Sequence, residues 1–78
     1  MLILFKEDEV VINTENVSSI EYINPSHSLS FNVNGRRENV EIFFPTKDDA
    51  LKTLDTILTA YNSHPQKVLV IHNKKMVG

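Results

Sequence analysis

Three histidines, a run of three acids and two basic clusters are the side chains of this sequence that could do chemistry. His27, His64 and His72 are of the type that exchanges protons near neutral pH. General acid–base work needs a partner held within hydrogen-bond reach, and nucleophilic work needs a serine or cysteine set beside its base. Cysteine is absent, no serine stands in a recognisable nucleophile motif, and no carboxylate pair is forced together by its spacing. His27 falls in turn chemistry and His64 precedes Pro65 at a helix exit, which predicts structural or exposed roles. Glu7-Asp8-Glu9 could attract a cation but lacks the spaced ligands of a calcium loop. The histidines lack close ligand spacing for zinc. Glycine occurs only at positions 35 and 78, too few for a glycine-rich phosphate cradle. No metal and no cofactor is therefore expected. A domain this small also offers little room for a concave site of about 300 Å³, so the chain reads as non-enzymatic.

Arg36-Arg37, with Lys74 and Lys75 near the C-terminus, is the second chemical possibility: contact with an anion or a nucleic acid. Lys67 adds to the same basic region. A net charge of −2 and a pI near 5.8 count against a nucleic-acid partner, which normally meets a basic excess. A small regulator touching nucleic acid through these residues stands as the alternative function.

Seventy-eight residues make one small domain whose core is thin and has no disulfide to reinforce it. Residues 1–72 read as that domain and 73–78 as a frayed polar tail. Met1 to Phe5 is apolar, but Lys6-Glu7-Asp8-Glu9 follows at once, so no secretory signal is read and a cytoplasmic location is expected. No run approaches the roughly 20 apolar residues needed to span a bilayer.

The residues named above must be held by strands and one helix. Leu2 to Lys6 and Val10 to Ile12 are β-prone runs around a charged turn, whose centre at Glu7-Asp8 would pair Phe5 with Val10 and Ile3 with Ile12. Val17 to Ile23 is a third strand. Leu29, Phe31 and Val33 alternate with polar residues, the mark of a half-buried strand. Asn34-Gly35 then predicts a two-residue hairpin turn with both residues at positive φ. That turn sets Val33 opposite Arg36, Phe31 opposite Glu38 and Leu29 opposite Val40. Ile42 and Phe44 join the oily face, and Phe43 falls on the polar one. Thr46-Lys47-Asp48-Asp49 is a helix start with an N-cap and acids in the first turn. Ala50, Leu51, Leu54, Ile57, Leu58 and Tyr61 recur at helical spacing, and Pro65 ends the run. Val68 to Ile71 is β-prone without alternation, which suggests cover on both sides. The expected fold is α+β: an antiparallel sheet of about five strands, one helix over about 46–62 on one face, and a possible extra strand over about 67–72.

One helix covers one sheet face, yet apolar residues project from both. Leu4, Val11, Val17, Ile23, Phe43, Val68 and Val70 are left for the second face. Monomers seldom expose a contiguous apolar patch beyond a few hundred Å². The cover is expected to be the Val68–Ile71 run folding back, a second copy or another protein, unless the sheet curls these residues into the core. A homo-oligomer, first a two-fold dimer, is the partner expected, with an unidentified protein as the other possibility and no membrane.

The order of an apolar start, a charged turn, Glu9-Val10-Val11-Ile12-Asn13, Asn16-Val17-Ser18-Ser19-Ile20-Glu21, an Asn34-Gly35 hairpin and an acid-started helix resembles the small bacterial FlbD-type flagellar proteins. It is similar to other short strand-plus-helix proteins of bacteria and phages. The resemblance spans about the first 60 residues, implies the strand-plus-helix layout, and carries no functional residue across. The Val68–Ile71 run has no counterpart in it.

Overall fold

A computed structural model describes residues 1–63 and 68–73 of the chain. It begins with β1 (Leu2–Phe5) and β2 (Val10–Asn13), antiparallel, in the register that the charged turn dictates: Phe5 pairs with Val10 and Ile3 with Ile12. Glu9 closes the turn in the left-handed region at φ 53°. A 3₁₀ turn at Thr14–Asn16 follows, started by Asn13, whose Oδ1 accepts the Glu15 N–H at 3.1 Å. Both the N–H and the hydroxyl of Thr14 donate to the Met1 carbonyl, which ties the chain start to this turn.

β3 (Val17–Ile23), β4 (Ser28–Val33) and β5 (Val40–Phe43) form an antiparallel meander. Ile20 faces Phe31, Tyr22 faces Leu29, Phe31 faces Val40 and Leu29 faces Ile42, so one face is apolar throughout. The Asn34-Gly35 turn differs from the two-residue expectation. Only Gly35 has positive φ, at 85°, and the Arg36 N–H donates to the Val33 carbonyl at 3.2 Å. That is the pattern of a type II turn, in which only the third residue must be left-handed. The loop then runs on through Arg36, Arg37, Glu38 and Asn39, so Val40 meets Phe31 instead of Leu29. The slip is two residues, and an even slip leaves every side chain on its expected face. A Cβ at Gly35 would meet nothing within 4 Å, so Gly35→Ala carries only the backbone cost of the left-handed angle. We expect about 1 kcal/mol, or a melting temperature lower by roughly 4–8 °C. An unchanged melting temperature would show that position 35 is not held at that angle.

α1 (Lys47–Ser63) starts where the capping residues predict: the Thr46 Oγ1 accepts the Asp49 N–H at 3.1 Å. Its buried residues are Ala50 and Ile57. β6 (Val68–Ile71) lies parallel to β1, with Leu4 beside Val70 and Phe5 beside Ile71. The class is α+β, as expected, but the strands divide into two three-stranded sheets, ordered β2-β1-β6 and β3-β4-β5. Short strands twist strongly, and two small twisted sheets close a core better than one flat sheet of the same strands. α1 touches β4 of one sheet and β6 of the other, so it seals the seam between them. Ile3, Phe5, Ile12 and Ile71 from the first sheet and Leu29, Phe31 and Ile42 from the second are buried together. Phe5 meets Phe31 edge to face with ring centroids 5.5 Å apart.

Candidate functional site

Alternation along β1 sends Ile3 and Phe5 into the core and Leu2 and Leu4 outward. Registers on both sides extend that outward row. Leu4 is flanked by Val11 of β2 and Val70 of β6, and Leu2 by Asn13 and Val68. Leu2 is 41 % exposed, Val11 59 %, Val68 61 % and Val70 47 %, with Leu4 partly covered between them. The result is a face across three strands that is apolar except for Asn13 at one corner, with no formal charge among these residues.

Four of the seven residues assigned to a second face therefore come together: Leu4, Val11, Val68 and Val70. Leu2 joins them, a residue the sequence reading missed although its β1 parity is that of Leu4. The β6 strand does not fold over this face. It lies beside β1 and widens it, so Val68–Ile71 is a half-exposed edge strand and not one covered on both sides. Curling does not remove the face either, as its exposures show.

The other three residues are elsewhere. Val17 packs against the core. The reason is a bulge: Val17 pairs with Val33 and Ser19 with Asn32, so Ser18 is an extra residue that reverses the parity before it. Ile23 and Phe43 flank Ser28 on the outer face of the second sheet, whose next row is Glu21, Ser30 and Glu41. That face is polar: the buried Ser28 hydroxyl donates to Glu41 Oε2 at 2.6 Å, and Asn39 Nδ2 donates to Ser30 Oγ at 3.0 Å. Phe43 is 51 % exposed on it and shares no sheet with Val11.

Among the described residues the titratable candidates are not assembled. His27 Nδ1 lies 3.1 Å from the Tyr22 hydroxyl, and His72 Nδ1 lies 3.3 Å from Glu7 Oε2. Ser26 and Ser28 share a hydrogen bond and reach Glu41, but the imidazole of His27 is engaged with Tyr22. Among the described residues no group of three or more His, Asp or Glu could hold a metal ion. Arg36 and Arg37 are exposed in the β4–β5 loop. His64, Lys67, Lys74 and Lys75 lie outside the described residues. No helix among those described is long and apolar enough to cross a membrane.

Asn73, which the sequence places at the head of a polar tail, is instead only 2 % exposed. Its Nδ2 donates to Asp8 Oδ2 and, at 3.2 Å, to the Phe43 carbonyl. It joins the β1–β2 turn to the ends of β5 and β6, and nothing local in the sequence signals a partner 65 positions away. No protein-family model, curated protein or solved structure matches this chain.

Proposed function

We propose that the chain is a non-enzymatic protein-interaction module that self-associates through the outer face of the β2-β1-β6 sheet. The observation that carries the reading is the row of exposed apolar side chains on three adjacent strands. A second copy suits this surface because it has no formal charge, so stacking it on itself brings no like charges together. Two such faces pack at the usual sheet-to-sheet spacing of about 10 Å. The magnitude sets the strength. Burying the exposed parts of five side chains on each copy gives roughly 5–10 kcal/mol at about 0.5–1 kcal/mol each. Association itself costs about 4–15 kcal/mol. Burial exceeds the cost only toward the favourable ends of these ranges, by about 6 kcal/mol at most, so the dimer is weak and concentration-dependent.

Sedimentation across chain concentrations up to about 1 mM, where ~4 kcal/mol of association is half-saturating, is the test. The parent should move from monomer toward dimer. Val11→Asp should stay monomeric throughout and melt within a few degrees of the parent, because Val11 is exposed. Phe43→Asp, on the other sheet, should dimerise as the parent does. A parent that stays monomeric at the top of the range, or a Val11→Asp variant that still associates, sinks the proposal.

A further inference from the structure

A second surface feature is concave, and its floor is the core itself. Between α1 and the first half of β3 a cleft of about 260 Å³ opens at the meeting point of both sheets and the helix. Ile3, Phe31 and Ile57 form its floor, and each is almost wholly inaccessible. Leu58 and Tyr61, one helical turn apart, line it from the helix side yet remain 49 % and 48 % exposed. They belong to the apolar helix stripe that recurs at helical spacing, and among the described residues no element fully covers them.

The chemistry of the lining selects the ligand. None of the ten lining residues carries a formal charge, so a charged guest would lose its hydration with no opposite charge to replace it. A hydrocarbon-lined cavity of about 150 Å³ holds benzene, so this volume fits a bicyclic ring. Two of the four hydroxyls that line the cleft, those of Thr14 and Ser18, already donate within the protein, whereas those of Ser19 and Tyr61 donate to none of the described residues. Thr14 Oγ1 donates its proton to the Met1 carbonyl at 3.1 Å, and Ser18 Oγ donates to the Asn32 carbonyl at 3.3 Å. What these hydroxyls offer a guest is lone pairs.

We propose that this cleft binds a small, neutral aromatic molecule of indole size that carries one hydrogen-bond donor. Such a ring covers the exposed flank of Leu58 and Tyr61 and places its N–H or O–H toward Thr14 and Ser18. The site is independent of the outer face of the β2-β1-β6 sheet and stands whether or not the chain dimerises.

Titration of the full chain with indole, followed by methyl and amide NMR shifts, tests it. Saturable shifts in the millimolar range should centre on Ile3, Ile20, Ile57 and Leu58. The same shifts should appear in Val11→Asp, which leaves the cleft intact. 1-Methylindole, without the donor, should bind about tenfold more weakly, the scale of one unmade hydrogen bond. Indole-3-carboxylate, which adds a charge, should not saturate. Leu58→Asp, at an exposed position that the fold does not need, should abolish saturable binding of indole. Shifts that rise linearly without saturation, that persist in Leu58→Asp or that centre on Val11 and Val70 overturn the site. Equal binding of indole and 1-methylindole overturns the donor assignment.

Discussion

Asn73→Asp should cost about 3–5 kcal/mol at pH 7, a large part of the roughly 4–12 kcal/mol available to a domain of this length. The change is nearly isosteric, so packing is preserved and the electrostatics are isolated. In the parent, Asn73 Nδ2 donates to a carboxylate oxygen of Asp8 and to the Phe43 carbonyl. A carboxylate at position 73 would present an acceptor to both, in a place where the side chain is almost fully buried. Its negative charge would be opposed by that of Asp8 and by desolvation. Both effects raise the pKa of the new carboxyl in the folded state above its unfolded value near 4. The folded variant then holds a proton that the unfolded chain releases, so its stability falls as pH rises through about 4 toward the raised pKa. Relative to the parent, the deficit is full at neutral pH and shrinks as pH falls toward 4 and below. Paired urea melts of parent and variant at pH 7 and near pH 3.5 read this out. Asn73→Ala is the comparator: it removes both donated bonds but also the buried Oδ1, which has no partner of its own. Its cost is therefore smaller, about 1–2 kcal/mol. A variant Asn73→Asp as stable as the parent at pH 7, or a deficit that ignores pH, would remove Asn73 from the role of tie between the β1–β2 turn and β5.

Features legible from the sequence were those whose cause is local. The β1–β2 register followed from apolar parity on either side of Glu7-Asp8-Glu9. The start of α1 followed from Thr46, which caps Asp49 as its side chain can from that position. The β4–β5 pairing was off by two residues, because Asn34-Gly35 specifies a turn without limiting the loop after it. The faces nevertheless stayed correct, since parity is indifferent to an even shift. Features decided at long range were not legible. Parity says that Leu4 and Phe43 both point away from a core, but not that they point away from different sheets. The parallel pairing of β1 with β6 joins positions 66 apart in the chain and rests on an apolar run that fits several placements. Val17 was assigned to the wrong face because the Ser18 bulge leaves no mark that distinguishes it from ordinary strand sequence. The candidate interaction face was thus half visible: its residue types and exposure could be read, and the topology that gathers five of them together could not.

Phe31→Ala should be the most damaging single substitution, and its comparison with Phe43→Ala separates placement from composition. Both residues are phenylalanines in strands of the same sheet. Phe31 is inaccessible, sits on the central strand between Ile20 and Val40, and meets Phe5 of the other sheet edge to face. Phe43 lies on the edge strand with half its surface in water. Truncating a buried phenylalanine costs about 3–5 kcal/mol through lost transfer energy and the cavity left behind. The edge-to-face pair adds about 0.5–1.5 kcal/mol. Set against a total of roughly 4–12 kcal/mol, Phe31→Ala should melt at least 15 °C lower or fail to fold at ambient temperature. Phe43→Ala should stay within about 1 kcal/mol of the parent, as exposed positions do. The decisive measurement is the coupling of the milder pair Phe5→Leu and Phe31→Leu in a double-mutant cycle, since both variants keep most of the core volume. A coupling of about 0.5–1.5 kcal/mol is expected of rings in contact, and additivity within ~0.3 kcal/mol is what separate sheets would give. Because Phe5 and Phe31 are the direct ring contact between the two sheets, additive behaviour would mean that the sheets are not packed through this pair. The core floor beneath the α1–β3 cleft, and the outward parity of Leu4 and Val70, would then lose the packing that fixes them.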